Sequence, residues 1–549
     1  MTEHSMTEHF DAIVVGSGFG GSVGTFRLAE AGKRVCLLER GKQYAPGDFP
    51  RGIAGMAANF WDPGRGGLGL FNFWSFRRLE AIVSSGLGGG SLIYANVILR
   101  MHPDWFSGWP FGRADLDPHY DAVHRMLKPS AFPYPMVAKT AELTAAARRM
   151  NRTAVLPDLA ITFASGGRTA AALPIDEPAP NLHGPNNRFT CRLCGECDIG
   201  CNSGSKNSLD LTYLSAPEVA EHADLRTLCE VVDIRPREGG GYLVAYVQQD
   251  PDDPRPPSSL PRKQVSADQL ILAAGSLGTT YLLLKNQGNF PRLNSAALGT
   301  RFCGNGDLLG FVNRSTETVN GRRRIRRLDP QHGPVITTAI RVDDPDDGRD
   351  FLIEDGGIPE FVLWLMEARS MPSLFRRLLR TAGRRLRYRL TGNPRSDFGA
   401  ELRTLLGDGA LSSGSLPLLG MGRDTPDGVM GLRKGYLDID WSTKTSRRYF
   451  ERVRTEMRAI AANLDGDYTD NPIWHLRRRV ITAHPLGGCP MDHAEGAGVV
   501  DSFGEVHGYR GMWIVDGSVM PGPVAANPAF TIAAFADRAA DVFTQRRYP

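Results

Sequence analysis

Apolar residues first gather at 10–15, FDAIVV, a run of strand length followed by glycines. In the next stretch, SVGTFRLAEAG, Val23, Phe26, Leu28 and Ala31 recur at helical spacing, and a second apolar run, RVCLLE, comes after it. The pattern predicts strand, turn, helix and strand within about 30 residues. Around 269–283, the stretch QLILAAGSLGTTYLLL predicts another strand, a turn at Ala274 and Gly275, and a helix. Residues 512–535, MWIVDGSVMPGPVAANPAFTIAAF, read as a strand, an Asp516-Gly517 turn, a loop and a helix opening after Asn527 at Pro528. Proline suits the first turn of a helix, and a helix N-terminus there suits an electron-rich ring.

Residues 83–99, VSSGLGGGSLIYANVIL, place a glycine run before apolar positions, as in a loop lying against a phosphate or a flat ring. Residues 101–190 are proline-rich, 250–263 read as a solvated hairpin loop, and 311–470 alternate strand and helix patterns. The expected fold is α/β: a Rossmann-type dinucleotide-binding domain assembled from discontinuous segments, with an inserted α+β substrate-binding domain. Residues 1–100, 205–310 and 471–549 are assigned to the first, 101–204 and 311–470 to the second, cysteine-rich loop included.

Composition narrows the function classes. The 549 residues carry 64 basic against 60 acidic side chains, net +4, which gives no support to a nucleic-acid partner. A 42% hydrophobic and 23% charged content is that of a globular chain. No apolar run nears the roughly 18 residues that span a bilayer, and MTEHSMTEHF has no signal core, so a cytoplasmic protein is expected. One stretch qualifies this: 373–390, SLFRRLLRTAGRRLRYRL, is either a basic amphipathic helix for an anionic membrane surface or a solvated helix packed on its domain.

Gly16, Gly18 and Gly21 match G-x-G-x-x-G at the first strand-to-helix turn, and Glu39 ends the second strand. Gly16 permits the tight turn, Gly18 lets a pyrophosphate touch the backbone, Gly21 allows close packing, and Glu39 can accept from a ribose hydroxyl. The fingerprint does not separate NAD from FAD.

Three stretches settle that choice by resemblance: GSGFGGS with LLERG, GLGGGSLIYANV, and AHPLGGCPM with GMWIVDGSVMPGPVAANPAFTIAA. They resemble the glucose–methanol–choline (GMC) flavin oxidoreductases, and within them the bacterial cholesterol oxidase branch. The resemblance implies bound FAD, two domains, and oxidation of an alcohol by hydride transfer to flavin. It places Gly16, Gly18, Gly21, Glu39, Gly89, Ser91, Asn96, Val231, Asp516 and Phe530 against FAD, beside Ala274, Gly275, Gly517 and Pro528 of the turns above. Loss of hydride from a carbinol carbon requires loss of the hydroxyl proton, and histidine suits that task at neutral pH. The resemblance gives the role to His484 of HPLGG, with Asn527 sharing the substrate hydroxyl. Cholesterol oxidases also isomerise a double bond with a carboxylate; here Glu354 or Glu360 in FLIEDGGIPEFVLWL could serve, or both are structural.

Cys191, Cys194, Cys197 and Cys201 reproduce the spacing of a bacterial iron–sulfur ligand run, with Asn202 where proline usually follows. Iron–sulfur, zinc and plain reduced thiols are all compatible with it, and a cluster would favour a dehydrogenase over an oxidase. The leading expectation is oxidation of a bulky apolar alcohol, a sterol foremost, with O2 or an electron carrier reoxidising the flavin. A dehydrogenase of a sugar, polyol or long-chain alcohol is the alternative, and a flavoprotein without alcohol oxidation stands as a second class.

Overall fold

The computed structural model describes residues 7–51, 55–56, 58–165, 172–177, 181–343, 348–357, 413–471, 474, 479–494 and 496–546. The strand Glu8–Val15 is buried on both faces from Ala12 onward, which is why it reads as a continuous apolar run. It lies between Val35–Leu38 and Arg262–Leu272, parallel to both. Ala223–Arg226 adds a further parallel strand beside Val35–Leu38, and Met512–Ile514 runs parallel to the end of Arg262–Leu272. Tyr242–Gln248 and Cys229–Pro236 complete the seven-stranded sheet as an antiparallel extension. The stretch 250–263 does join two antiparallel strands, with Gln249 and Arg255 bonded across its base.

The helix Phe19–Glu30 starts among the glycines of the fingerprint and packs against Pro528–Phe543, which opens at the proline as the sequence predicts. The helix Gly275–Asn286 follows the second strand-to-helix turn. The first and the last of these connections put the N-termini of Phe19–Glu30 and Gly275–Asn286 at the carboxyl ends of parallel strands, where open α/β sheets bind nucleotides.

The middle of the chain forms a second, six-stranded sheet. Its order is Asp467–Asp470, Leu308–Asn313, Leu416–Gly422, Phe351–Asp355, Ala339–Val342 and Thr153–Val155, every pair antiparallel. The helices Arg447–Asn463 and Ala138–Arg149 cover one face. Alternation along Phe351–Asp355 sends Phe351 and Ile353 into that helix-covered core, while Leu352 joins the core of the first sheet. Glu354 shares the face of Leu352, and Asp355 points back to the helices, where Lys139 pairs with it at 2.6 Å.

Candidate active site

Backbone contact explains the glycine fingerprint. A Cβ at Gly21 would lie 1.9 Å from the Gly16 carbonyl oxygen, and one at Gly89 would lie 2.5 Å from the Gly18 Cα, so two glycine turns touch directly. Gly18 caps the helix Phe19–Glu30 without a side-chain bond, leaving its first N–H groups for an anion. The Glu39 carboxylate binds the same turn, accepting from Ser17 N and Oγ at 3.1 and 2.7 Å and from Gly41 N at 2.8 Å. Ser91 Oγ donates to the Gly88 carbonyl and accepts from Leu209 N.

The second turn and the C-terminal segment are tied together by Asp516. Its carboxylate accepts from Gly275 N, Thr279 Oγ1, Ser518 N and Ser518 Oγ. Ala274 caps the following helix, and the Gly517 carbonyl accepts from Gly487 N of the HPLGG segment. Val231 sits at a register shift in Cys229–Pro236, and Phe530 is buried 4.7 Å from the Tyr120 ring. Asn96 is fully buried at φ +69°, and neither atom of its side-chain amide meets a partner. An orphaned buried amide beside touching glycine turns and open helix N-termini fits a large polar ring system with a pyrophosphate. These residues therefore suit FAD.

His484 follows the strand Val480–Thr482, and its side chain is 18% exposed. Its Nδ1 lies 2.9 Å from Asp307 Oδ1, while Asp307 Oδ2 accepts from Thr482 Oγ1 at 2.8 Å and Ala483 N at 3.0 Å. Burial pushes the imidazole pKa down, but the negative charge and hydrogen bond of Asp307, with a smaller contribution from Glu354, outweigh it and leave it raised.

Asn527 caps the helix Pro528–Phe543, and the proline after it holds its backbone extended. Its Nδ2 donates to Glu354 Oε2 at 3.3 Å. The other two oxygens of this pair, Asn527 Oδ1 and Glu354 Oε1, are buried without a protein partner. Burial pushes the Glu354 carboxyl up to about 8, against the lowering effects of Asn527 and His484. The sequence left Glu354 and Glu360 as alternatives; Glu354 stands at the site, and Glu360 lies outside the described residues, as does the arginine-rich stretch 373–390.

The structure gives the cysteine run no support as a metal site: among the described residues no three His, Cys, Asp or Glu side chains, those of Cys191, Cys194, Cys197 and Cys201 included, are placed to hold a metal ion. The chain turns between them: Leu193 takes φ +58°, Cys191 packs into an apolar cluster, Cys194 is exposed beside Gly333, and Cys201 Sγ meets Ser205 Oγ at 3.3 Å. Residues that sequence reasoning missed are Asp307, Asp424 and Asn305, in or against one turn; the alternating G-N-G-D after Cys303 was their only signal.

The GMC oxidoreductase family models match residues 10–289 with the N-terminal part and 424–536 with the C-terminal part. Among curated proteins, the chain is 28% identical to a cholesterol oxidase of Mycobacterium tuberculosis, covering 99% of this chain and 93% of that one. It is 26% identical to a cholesterol oxidase of Acinetobacter baumannii over 96% and 93%, and 23% identical to a long-chain-alcohol oxidase of Arabidopsis thaliana over 98% and 67%. The fold is that of pyridoxine 4-oxidase from Mesorbium loti, at a TM-score of 0.62 and 17% identity over 98% of this chain and 99% of that one. No described helix is long and apolar enough to cross a membrane. With one family model covering more than half its length, this chain belongs to the GMC oxidoreductases, FAD-dependent enzymes that oxidise alcohols and pass the electrons to O2 or another acceptor.

Proposed function

We propose that the protein oxidises a bulky apolar secondary alcohol, a sterol 3-hydroxyl foremost, to the ketone. The observation that carries this reading is the convergence of His484, Asn527 and Glu354 from separate segments, with two buried oxygens left unpartnered between them. Bound FAD supplies the hydride acceptor, and Gly16, Gly18, Gly21, Glu39, Gly89, Ser91, Asn96, Val231, Ala274, Gly275, Asp516, Gly517, Pro528 and Phe530 are the residues assigned to hold it. The two sheets are assigned as the FAD-binding and substrate-binding domains with the boundaries read from the sequence, moved only so that the strand Leu308–Asn313 stays whole in the second sheet.

With Nδ1 turned to Asp307, the Nε2 lone pair of His484 takes the hydroxyl proton. Asn527 has two N–H groups; one goes to Glu354, and the second donates to the alcohol oxygen, orienting it and favouring its developing negative charge. Glu354 is the isomerisation base: its raised pKa gives the ionised form more affinity for a carbon-bound proton than an ordinary carboxylate has. Cholesterol oxidases at 26–28% identity over nearly the whole chain support the sterol class.

The test is anaerobic mixing of the flavin-loaded protein with a sterol, a long-chain alcohol and a polyol in turn. Rapid bleaching of the flavin bands by sterol, with a conjugated enone as product, is the expected result. Bleaching by the long-chain alcohol or polyol alone would replace the sterol reading, and bleaching by none would remove alcohol oxidation by this site.

A further inference from the structure

The turn Gly304–Asp307 reaches the segments that carry the two side chains assigned to alcohol oxidation, His484 and Asn527. On one side Cys303 and Leu486 exchange backbone bonds at 3.0 and 3.1 Å, and Asp307 holds Thr482, Ala483 and His484. On the other, Asn305 Nδ2 donates to the Ala526 carbonyl at 2.9 Å and its Oδ1 accepts from Ala525 N at 2.8 Å, one residue short of Asn527. The turn is anchored from behind: both Asp424 oxygens accept from its backbone, at Gly304 N and Gly306 N, each at 2.9 Å, and Tyr449 OH donates to the Gly306 carbonyl. Asn305 and Ala525 both hold positive φ, a strain that in a non-glycine residue persists only when neighbours fix the chain.

We propose that this turn is a two-armed positioning element: Asp307 fixes which ring nitrogen of His484 is open to the substrate, and Asn305 fixes the backbone from which Asn527 projects. The argument for the first arm is one of donors and acceptors. A carboxylate only accepts, so Nδ1 of His484 carries the ring proton and Nε2 presents its lone pair. Asp307 cannot be replaced by asparagine without conflict. One amide oxygen must face the Thr482 hydroxyl and Ala483 N–H, which leaves the NH2 facing Nδ1 and drives the ring proton to Nε2.

This inference rests on His484 being the base, and its test separates the two claims. In flavin-loaded protein carrying 15N-histidine, the His484 signal is assigned by its loss in His484→Ala. The expected neutral ring has its proton on Nδ1 in the natural protein and on Nε2 in Asp307→Asn. A proton on Nε2 in the natural protein overturns the first arm, whether or not Asp307→Asn folds. Asp307→Asn should also slow alcohol-driven flavin reduction by about 100-fold or more with KM unchanged. The titratable groups facing His484 are Asp307 and Glu354, with Asp424 behind the former and Asp355 behind the latter. Removing the Asp307 charge lowers the imidazole pKa, so the acid limb of the rate profile moves to lower pH, a change that mere loss of packing does not produce. An unmoved limb and an unchanged rate overturn the arm. For the second arm, Asn305→Asp keeps the acceptor for Ala525 and loses the donor to Ala526. Its double variant with Asn527→Ala should react no more slowly than Asn527→Ala alone, and additive losses overturn it. If no alcohol reduces the flavin, the functional reading fails while the tautomer measurement still decides the positioning claim.

Discussion

The amide of Asn527 donates to the carboxyl of Glu354 across 3.3 Å, joining the cap of the C-terminal helix to a strand of the second sheet. This one bond brings a group suited to alcohol oxidation against a group suited to proton transfer at carbon. It therefore offers a way to separate the two reactions.

Glu354→Gln keeps the hydrogen-bonding shape and removes the ionisable group. Sterol oxidation should persist within about tenfold while formation of the conjugated enone falls by about 100-fold or more. Enone formation at the natural rate would remove Glu354 from the reaction.

The same variant has a stability signature. A carboxyl held at about 8, when the unfolded chain ionises near its ordinary 4.5, binds a proton that the unfolded state has lost. Between those values stability falls as pH rises, and below the lower value the group contributes nothing. Glu354→Gln should thus match the natural protein in Tm near pH 4.5 and exceed it at pH 8.5. Equal Tm values at pH 8.5 would contradict the raised carboxyl.

Lys139→Met leaves Asp355 as an uncompensated charge, since both partners are 0% exposed. Breaking such a pair costs about 3–5 kcal/mol, measurable as a lower urea midpoint. A shift under about 1 kcal/mol would mean that the pair is solvated.

Asp516→Ala removes the acceptor of four hydrogen bonds, two from the backbone. Orphaning buried donors costs about 1–3 kcal/mol each. The purified variant should carry less than a tenth of the flavin of the natural protein; full flavin content would show that the two turns hold without it.

For the cysteine run, elemental analysis of the natural protein should find neither iron nor zinc in stoichiometric amount, and Cys194→Ser should leave flavin content and turnover unchanged. Stoichiometric iron with labile sulfide would restore the ligand reading.

The parts of the molecule that were legible in the sequence are those where backbone meets backbone. Gly21 and Gly89 admit no side chain, and that prohibition shows directly as residue type. The strand Glu8–Val15 and the helix from Pro528 were visible because burial on both faces and a proline at the first turn leave local patterns. Asp307 was not, because its partner His484 is 177 residues away and nothing in its own neighbourhood reports the contact. Glu354 and Glu360 could not be separated since one apolar stretch holds both; the register with Leu419 and Ala339 turns Glu354 toward Asn527. The cysteine spacing alone does not decide ligation, because spacing counts residues while ligation needs the turns between them to converge.

The strand Met512–Ile514 completes the nucleotide-side sheet, and Asp516 is clasped by Gly275 from 241 residues earlier. On the ribosome, the edge at Leu270–Leu272 therefore waits, apolar and unpaired, while the intervening chain is made. An exposed strand edge of this kind recruits other nascent chains. Yield of the active protein should accordingly depend on elongation rate and chaperone supply more than on flavin concentration during translation, because the cradle for the cofactor closes only after the 241 residues that separate Gly275 from Asp516 have been made.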